Sequence, residues 1–141
     1  MNDEQTAKRW MTFLLGRSEY PGKNRLAVAF NRGHVGRICD CGCNSFDVEY
    51  SGTEPVVPIS TPGTSGAVFQ ISFKDARSSG ELEIRVSSDK QGRFDGLDVE
   101  FQGNSSPVPD MLDLLEPPEY VHASDSLLID DAHAATNRES Q

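Results

Sequence analysis

Long apolar runs are missing from this chain of 141 residues. No stretch approaches the roughly twenty consecutive apolar residues that a membrane-spanning helix needs. The first four residues include two acids, whereas a signal peptide begins with basic and then apolar residues. The sequence therefore predicts a cytoplasmic protein with no membrane partner.

Cysteine is also scarce, since the chain contains only three. Three cysteines cannot all form disulfides within one chain, and the spacing of two residues from each cysteine to the next is short for a disulfide. We therefore expect reduced thiols, which agrees with a reducing compartment.

Basic residues are rare outside the first quarter of the chain, and the net charge is −9. Residues 1–38 carry seven basic side chains against three acidic ones, whereas residues 103–141 carry one against eight. Contacts with phosphate need Lys and Arg, so the acidic end argues against a nucleic-acid partner. The basic side chains of the first block are more simply the solvated faces of two helices.

Helical periodicity is confined to that first block. Trp10, Phe13 and Leu14 recur at helical spacing and predict a first helix, and Leu26 and Phe30 do the same for a second. Both predicted helices are short, so we expect them to be stabilised by packing on a sheet.

Apolar and polar residues alternate along three later segments, 69–74, 82–86 and 97–101. This alternation predicts strands with one buried and one solvated face, and residues 45–50 predict a further strand. The sequence thus predicts an α+β fold, with two amino-terminal helices packed on an antiparallel four-stranded β-meander.

The end of the chain has a different composition. Its low hydrophobicity and high negative charge are typical of segments that do not fold on their own. We therefore expect a single α+β domain over residues 1–115, followed by an acidic, flexible tail over residues 116–141.

The second and third alternating segments can be paired through a two-residue turn at Gln91 and Gly92. The resulting register brings core residues opposite each other and also sets Glu83 opposite Glu100 on the solvated side. Like charges across a ladder are destabilising, so we expect this surface to bind a basic protein partner. The predicted partner-binding residues of this acidic face are Glu81, Glu83, Arg85, Asp98 and Glu100.

The run Cys39-Asp40-Cys41-Gly42-Cys43 is the most specific local pattern in the chain. Zinc sites usually contain Cys-x2-Cys, and alternate residues of an extended strand lie about 7 Å apart, so the run needs a bend to bind one ion. Gly42 can supply that bend. Three interpretations are left open: packed thiols, a zinc site formed by Cys39, Cys41 and Cys43 with His34 or Asp40, and a small thiol enzyme.

Residues 37–48 carry a Cys-x-Cys-Gly-Cys-x-Ser core, preceded by the helix around 26–30 and followed by Pro107-Val108-Pro109-Asp110. In these features the chain resembles a group of small uncharacterised bacterial proteins over about residues 10–115. Asn44 occupies a position where that group more often has proline. The resemblance implies a bacterial cytoplasmic protein and attaches no activity to it.

Motifs of common catalytic sites, such as a nucleophile elbow or a phosphate-binding loop, do not occur in the sequence. We therefore predict a binding or regulatory module, immunity-like or inhibitor-like, that uses its acidic face without catalysis or a cofactor. A zinc-binding domain is the alternative, and a thiol enzyme is the third possibility.

Overall fold

The computed structural model describes residues 2–52, 55–63 and 65–130, which contain two α-helices, one short 3-10 helix (Gln102–Asn104) and six strands. In chain order the α-helices and strands are α1 (Glu4–Leu15), α2 (Lys23–Arg32), β1 (His34–Ile38), β2 (Phe46–Glu49), β3 (Gly66–Lys74), β4 (Glu81–Ser88), β5 (Phe94–Phe101) and β6 (Tyr120–Ala123). The α+β prediction, with both α-helices at the amino terminus, is confirmed. None of the described helices is long and apolar enough to cross a bilayer.

All six described strands belong to one antiparallel sheet, in the order β1-β2-β5-β4-β3-β6. The predicted four-stranded meander is wrong because the sheet has two more strands and because β2 pairs with β5 rather than β3. Both additional strands lie at the sheet edges. β1 escaped prediction because Gly36 and the exposed His34 and Arg37 leave it no apolar alternation, and β6 because all four of its residues are exposed.

The predicted register of the β4–β5 hairpin is confirmed, with Glu83 opposite Glu100. The turn is one residue longer than predicted, because Asp89 N donates to Arg93 O at 2.9 Å. A β-bulge beside Ser87 absorbs this difference, so the side chains beyond it keep their predicted faces.

The two helices cover one face of the sheet and form the core with it. Phe13 of α1 packs edge-on against Phe73 of β3, with ring centroids 5.7 Å apart. Phe30 of α2 packs in the same way against Phe46 of β2, at 6.2 Å. Ile84, on the central strand β4, is 0% exposed. Complete burial of a side chain of this kind contributes about 1.5–3 kcal/mol to folding.

Residues 124–130 return to the amino-terminal half of the domain. Leu127 is buried, Leu128 N donates to Ile59 O at 2.9 Å, and Arg25 Nε donates to Ile129 O at 2.9 Å. Residues 120–130 therefore pack on the domain through β6 and these contacts, within the segment expected to be a flexible tail. Composition does not reveal such packing because most of it uses backbone hydrogen bonds. Residues 131–141 of that expected tail lie outside the described residues.

The same segment caps α2. This helix begins after Gly22, which offers it no capping side chain. Asp130 takes that place, since both of its carboxylate oxygens accept from Asn24 N at 3.0 Å and Oδ1 also accepts from Arg25 N at 3.2 Å. A carboxylate here satisfies free amide donors and is attracted by the positive end of the helix dipole.

Replacing Asp130 with alanine should lower the free energy of unfolding by about 1 kcal/mol, because the first turn of α2 loses its only capping acceptor among the described side chains. Asp125→Ala removes a carboxylate from the same segment without touching the α2 cap and serves as the control. Urea unfolding followed by circular dichroism measures both. Equal stability of Asp130→Ala and wild type would contradict the cap.

Candidate functional site

The three cysteines lie on the loop between β1 and β2. The loop is closed at its base because Cys39 N donates to Ser45 O at 3.1 Å. Gly42 has a φ of +107°, which turns the chain between Cys41 and Cys43. The glycine bend expected from the sequence is therefore present.

This bend gathers the three sulfur atoms, all of which lie within 4.8 Å of one another. Cys41 Sγ is 3.0 Å from Cys43 Sγ, and a disulfide joins Cys39 to Cys41. The disulfide differs from the expectation of three reduced thiols. It is possible because the Cα atoms of Cys39 and Cys41 are 5.7 Å apart, within the usual range for a disulfide.

Neighbouring elements hold the loop from two sides. Asn2, just before α1, donates from Nδ2 to Cys39 O and to Ser45 O, both at 2.9 Å. On the other side, Ser45 Oγ accepts from Val99 N of β5 at 3.0 Å. The position of the cysteines is thus tied to both the helical layer and the sheet.

A cleft of about 940 Å³ opens beside the cysteines. It lies between the start of α1, the cysteine loop and residues 107–112, and both Cys39 and Cys43 line it. Cys43 is 4% exposed, Cys39 is half-buried and Cys41 is exposed. The other lining residues are Asn2, Thr6, Arg9, Trp10, Phe13, Asp40, Gly42, Asn44, Pro107, Val108, Pro109, Asp110 and Leu112.

Two hydrogen bonds join the walls of the cleft to the cysteine loop. Val108 N donates to Gly42 O at 2.9 Å. With its amide oxygen turned toward α1, Asn44 accepts from Trp10 Nε1 at 3.0 Å. Proline, which the resemblance leads one to expect at position 44, could not accept this hydrogen bond through its side chain.

His34 does not join the sulfur group. It lies at the exposed start of β1, where its Nε2 is 3.9 Å from Glu49 Oε1. Among the residues that the structure describes, the group of convergent ligand atoms consists of the three cysteine sulfurs. Asp40 lies between two of these cysteines and lines the cleft.

The acidic face lies on the side of the sheet opposite the helices, with Arg85 at its centre. Arg85 forms ion pairs with Glu83 and, at 2.8 Å, with Glu100, and its Nε is 3.8 Å from Asp98 Oδ2. The opposed pair of glutamates is therefore bridged by one guanidinium. This bridge offsets much of the repulsion that the register implies.

Glu81, the first residue of β4, lies outside this bridge. Its hydrogen bond with the Glu119 carboxyl raises its pKa, and burial and the negative charges of Glu119 and Glu83 raise it further. The pKa of Asp98 is also raised, mainly because burial disfavours its charged form. Negative charge on this face is therefore only partly compensated.

Comparison with known proteins finds no relative: no family model, curated protein or solved structure matches the chain. The resemblance to the group of bacterial proteins stays a prediction. What the site can do is argued below from its own geometry.

Sequence reasoning missed Asn2 and most of the cleft wall as parts of this site. Asn2 is 37 residues from Cys39 in the chain, and no local pattern connects the two. Within the cleft wall opposite the cysteines, the sequence connected only the segment Pro107-Val108-Pro109 with the site, because this segment accompanied the cysteine motif in the resemblance.

Replacing Gly42 with alanine should destabilise the fold by about 1 kcal/mol and open the sulfur group, because a φ of +107° strains any residue with a Cβ. That Cβ would also lie 3.4 Å from Pro107 Cα. The rate at which iodoacetamide labels Cys43, located by tandem mass spectrometry, should therefore rise. Gly52→Ala is the control, since Gly52 has a φ of +86° and lies away from the cysteines. Wild-type protection of Cys43 in Gly42→Ala would contradict this role of the bend.

Proposed function

We propose that Cys39, Cys41 and Cys43 bind a zinc ion once the Cys39–Cys41 disulfide is reduced. The observation that carries this proposal is the convergence of the three sulfur atoms within 4.8 Å. Thiolate is a preferred ligand of zinc, and sulfurs around one tetrahedral ion are about 3.8 Å apart. The 3.0 Å between the sulfurs of Cys41 and Cys43 needs to grow by less than about 1 Å, a change within reach of side-chain rotation.

The three cysteines would then supply three ligands and leave the fourth to water or to a molecule in the cleft. Cys39 and Cys43 both line this space, so a bound ion would be accessible from it. Zinc sites with three protein ligands keep the fourth position for water or a substrate. Cys41 N, which is 3.4 Å from Cys39 Sγ, is placed to donate to a thiolate and so to support the bound form.

Metal analysis tests the proposal. Protein reduced with a phosphine, loaded with zinc and dialysed should retain about one zinc per chain, and Cys41→Ser should lose it. His34→Ala is the matched control and should retain the metal, because His34 lies outside the sulfur group. A chelator should lower the melting temperature of the loaded protein and leave that of Cys41→Ser unchanged. Wild type that retains no stoichiometric zinc would overturn the proposal.

A second proposed function is the docking of a basic protein partner on the acidic face, in an immunity-like or inhibitor-like role. It is favoured by the raised pKa of Glu81, which reflects its crowding with Glu119 and Glu83. Lys74, opposite Glu81 and 3.9 Å from Glu119, opposes this shift without cancelling it. A cationic partner would relieve this crowding and would be steered toward the face. Glu83 is a poor probe of the idea because it already pairs with Arg85.

Glu81→Gln should change stability in a pH-dependent way and weaken the binding of a basic ligand. The folded pKa of Glu81 is raised above its ordinary value of 4.5, so the native state binds this proton more tightly than the unfolded state does. Relative to the variant, wild type should therefore lose stability as the pH rises from 4.5 through the raised pKa. Thermal unfolding between pH 4 and pH 7 measures the difference.

Binding to the acidic face is measured with poly-L-lysine, a basic ligand, at low and at moderate salt. Glu81→Gln should bind it more weakly than wild type, while Asp125→Asn, which makes the same charge change away from the acidic face, should not. Equal weakening by both variants would indicate a general charge effect and would contradict docking on the acidic face.

A further inference from the structure

The oxidised form of the sulfur group contains both partners of a thiol–disulfide exchange. Cys39 and Cys41 form a disulfide, and Cys43 is a free cysteine. Exchange needs a thiolate within reach of a disulfide sulfur. Cys43 Sγ is 3.0 Å from Cys41 Sγ, which is shorter than the distance between two sulfur atoms in ordinary van der Waals contact. We propose that Cys43 attacks Cys41 and transfers the disulfide from Cys39–Cys41 to Cys41–Cys43.

The step balances without an external oxidant. The Cys43 thiol gives its proton to solvent, and its thiolate forms a bond to Cys41 Sγ. The bond between Cys41 and Cys39 breaks, and its electron pair leaves with Cys39 as a thiolate, which takes up a proton. One disulfide and one thiol are present before and after the transfer, so no sulfur is oxidised overall.

The loop allows both bonds with little movement of the backbone. Cys41 is central, because Cys39 and Cys43 stand two residues to either side of it and all three sulfurs lie within 4.8 Å. The φ of +107° at Gly42 already folds the chain between Cys41 and Cys43. The ends of the loop are held by the bonds of Asn2 and Ser45, so the exchange is confined to the side chains and the turn.

The transfer changes which thiol is available in the cleft. Before it, the free thiol belongs to Cys43, which is 4% exposed. After it, the free thiol belongs to Cys39, which is half-buried at the wall of the cleft. The exchange thus converts a protected thiol into one that a thiol-reactive or disulfide-bearing molecule in the cleft can reach. It concerns the oxidised, metal-free protein and stands independently of zinc binding by the reduced form.

Differential alkylation of the oxidised, metal-free protein tests the exchange. The protein is held at pH 8 and then denatured in mildly acidic guanidinium with a large excess of N-ethylmaleimide, because the small thiolate fraction slows further exchange while the excess maleimide still alkylates the free thiol. The remaining disulfide is then reduced and labelled with iodoacetamide. Tandem mass spectrometry finds which cysteine carries each label. We expect maleimide on both Cys39 and Cys43, in proportions independent of protein concentration. Maleimide on a single one of these cysteines would overturn the proposal.

Two variants serve as matched controls. Cys43→Ser leaves only the Cys39–Cys41 disulfide and should carry no maleimide after oxidation. Cys39→Ser should form the Cys41–Cys43 disulfide, which the proposal requires to be accessible in the native fold. Circular dichroism establishes that each variant is folded, and the wild-type labelling decides the proposal even if one is not. Retention of free thiols by oxidised, folded Cys39→Ser would contradict it.

Discussion

Burial of the apolar face of β3, β4 and β5 beneath the two helices is the constraint on which the rest of the structure depends. Successive side chains of a strand point to opposite faces. The register that buries Ile84 against Val99 therefore also sends Glu83, Arg85, Asp98 and Glu100 to the other side. The acidic face is thus a geometric consequence of the core, and a shift of one residue would exchange the two.

Charge on that face is organised around a single guanidinium. Arg85 lies between glutamates that the register forces opposite each other, so the hairpin tolerates a like-charge pair across its ladder. Glu81, beyond the reach of this bridge, shares a hydrogen bond with Glu119 instead, which raises the pKa of Glu81. The face thus combines a centre bridged by Arg85 with an end that Lys74, 3.9 Å from Glu119, compensates only in part, and the proposed contact with a basic partner would begin at that end.

The cysteine loop occupies a different part of the molecule, where the start of α1 meets the end of β1. Asn2 and Ser45 fix the loop to the helical layer and to β5, while the residues between them carry three sulfurs around a glycine turn. The proposed zinc site and the proposed exchange use the same sulfurs in different oxidation states. Zinc needs thiolates, whereas exchange needs one disulfide, so the redox state of the thiols would select between them. In both cases the reactive group, a bound zinc ion or a free thiol, would be accessible from the cleft beside Cys39 and Cys43.

The sequence by itself determined the features that depend on local periodicity and local backbone freedom. Alternation of apolar residues identified β3, β4 and β5 and predicted Glu83 opposite Glu100, and the glycine between Cys41 and Cys43 predicted the bend in the loop. The predicted register of the β4–β5 hairpin is correct although the turn is one residue longer than predicted, because a β-bulge compensates for the extra residue.

Only the tertiary structure decided the edge strands β1 and β6, the pairing of β2 with β5, the cap that Asp130 provides to α2, and the attachment of Asn2 to the cysteine loop. These features join residues far apart in the chain, largely through backbone hydrogen bonds. Every residue type except proline can donate such bonds, so they leave no pattern in the sequence.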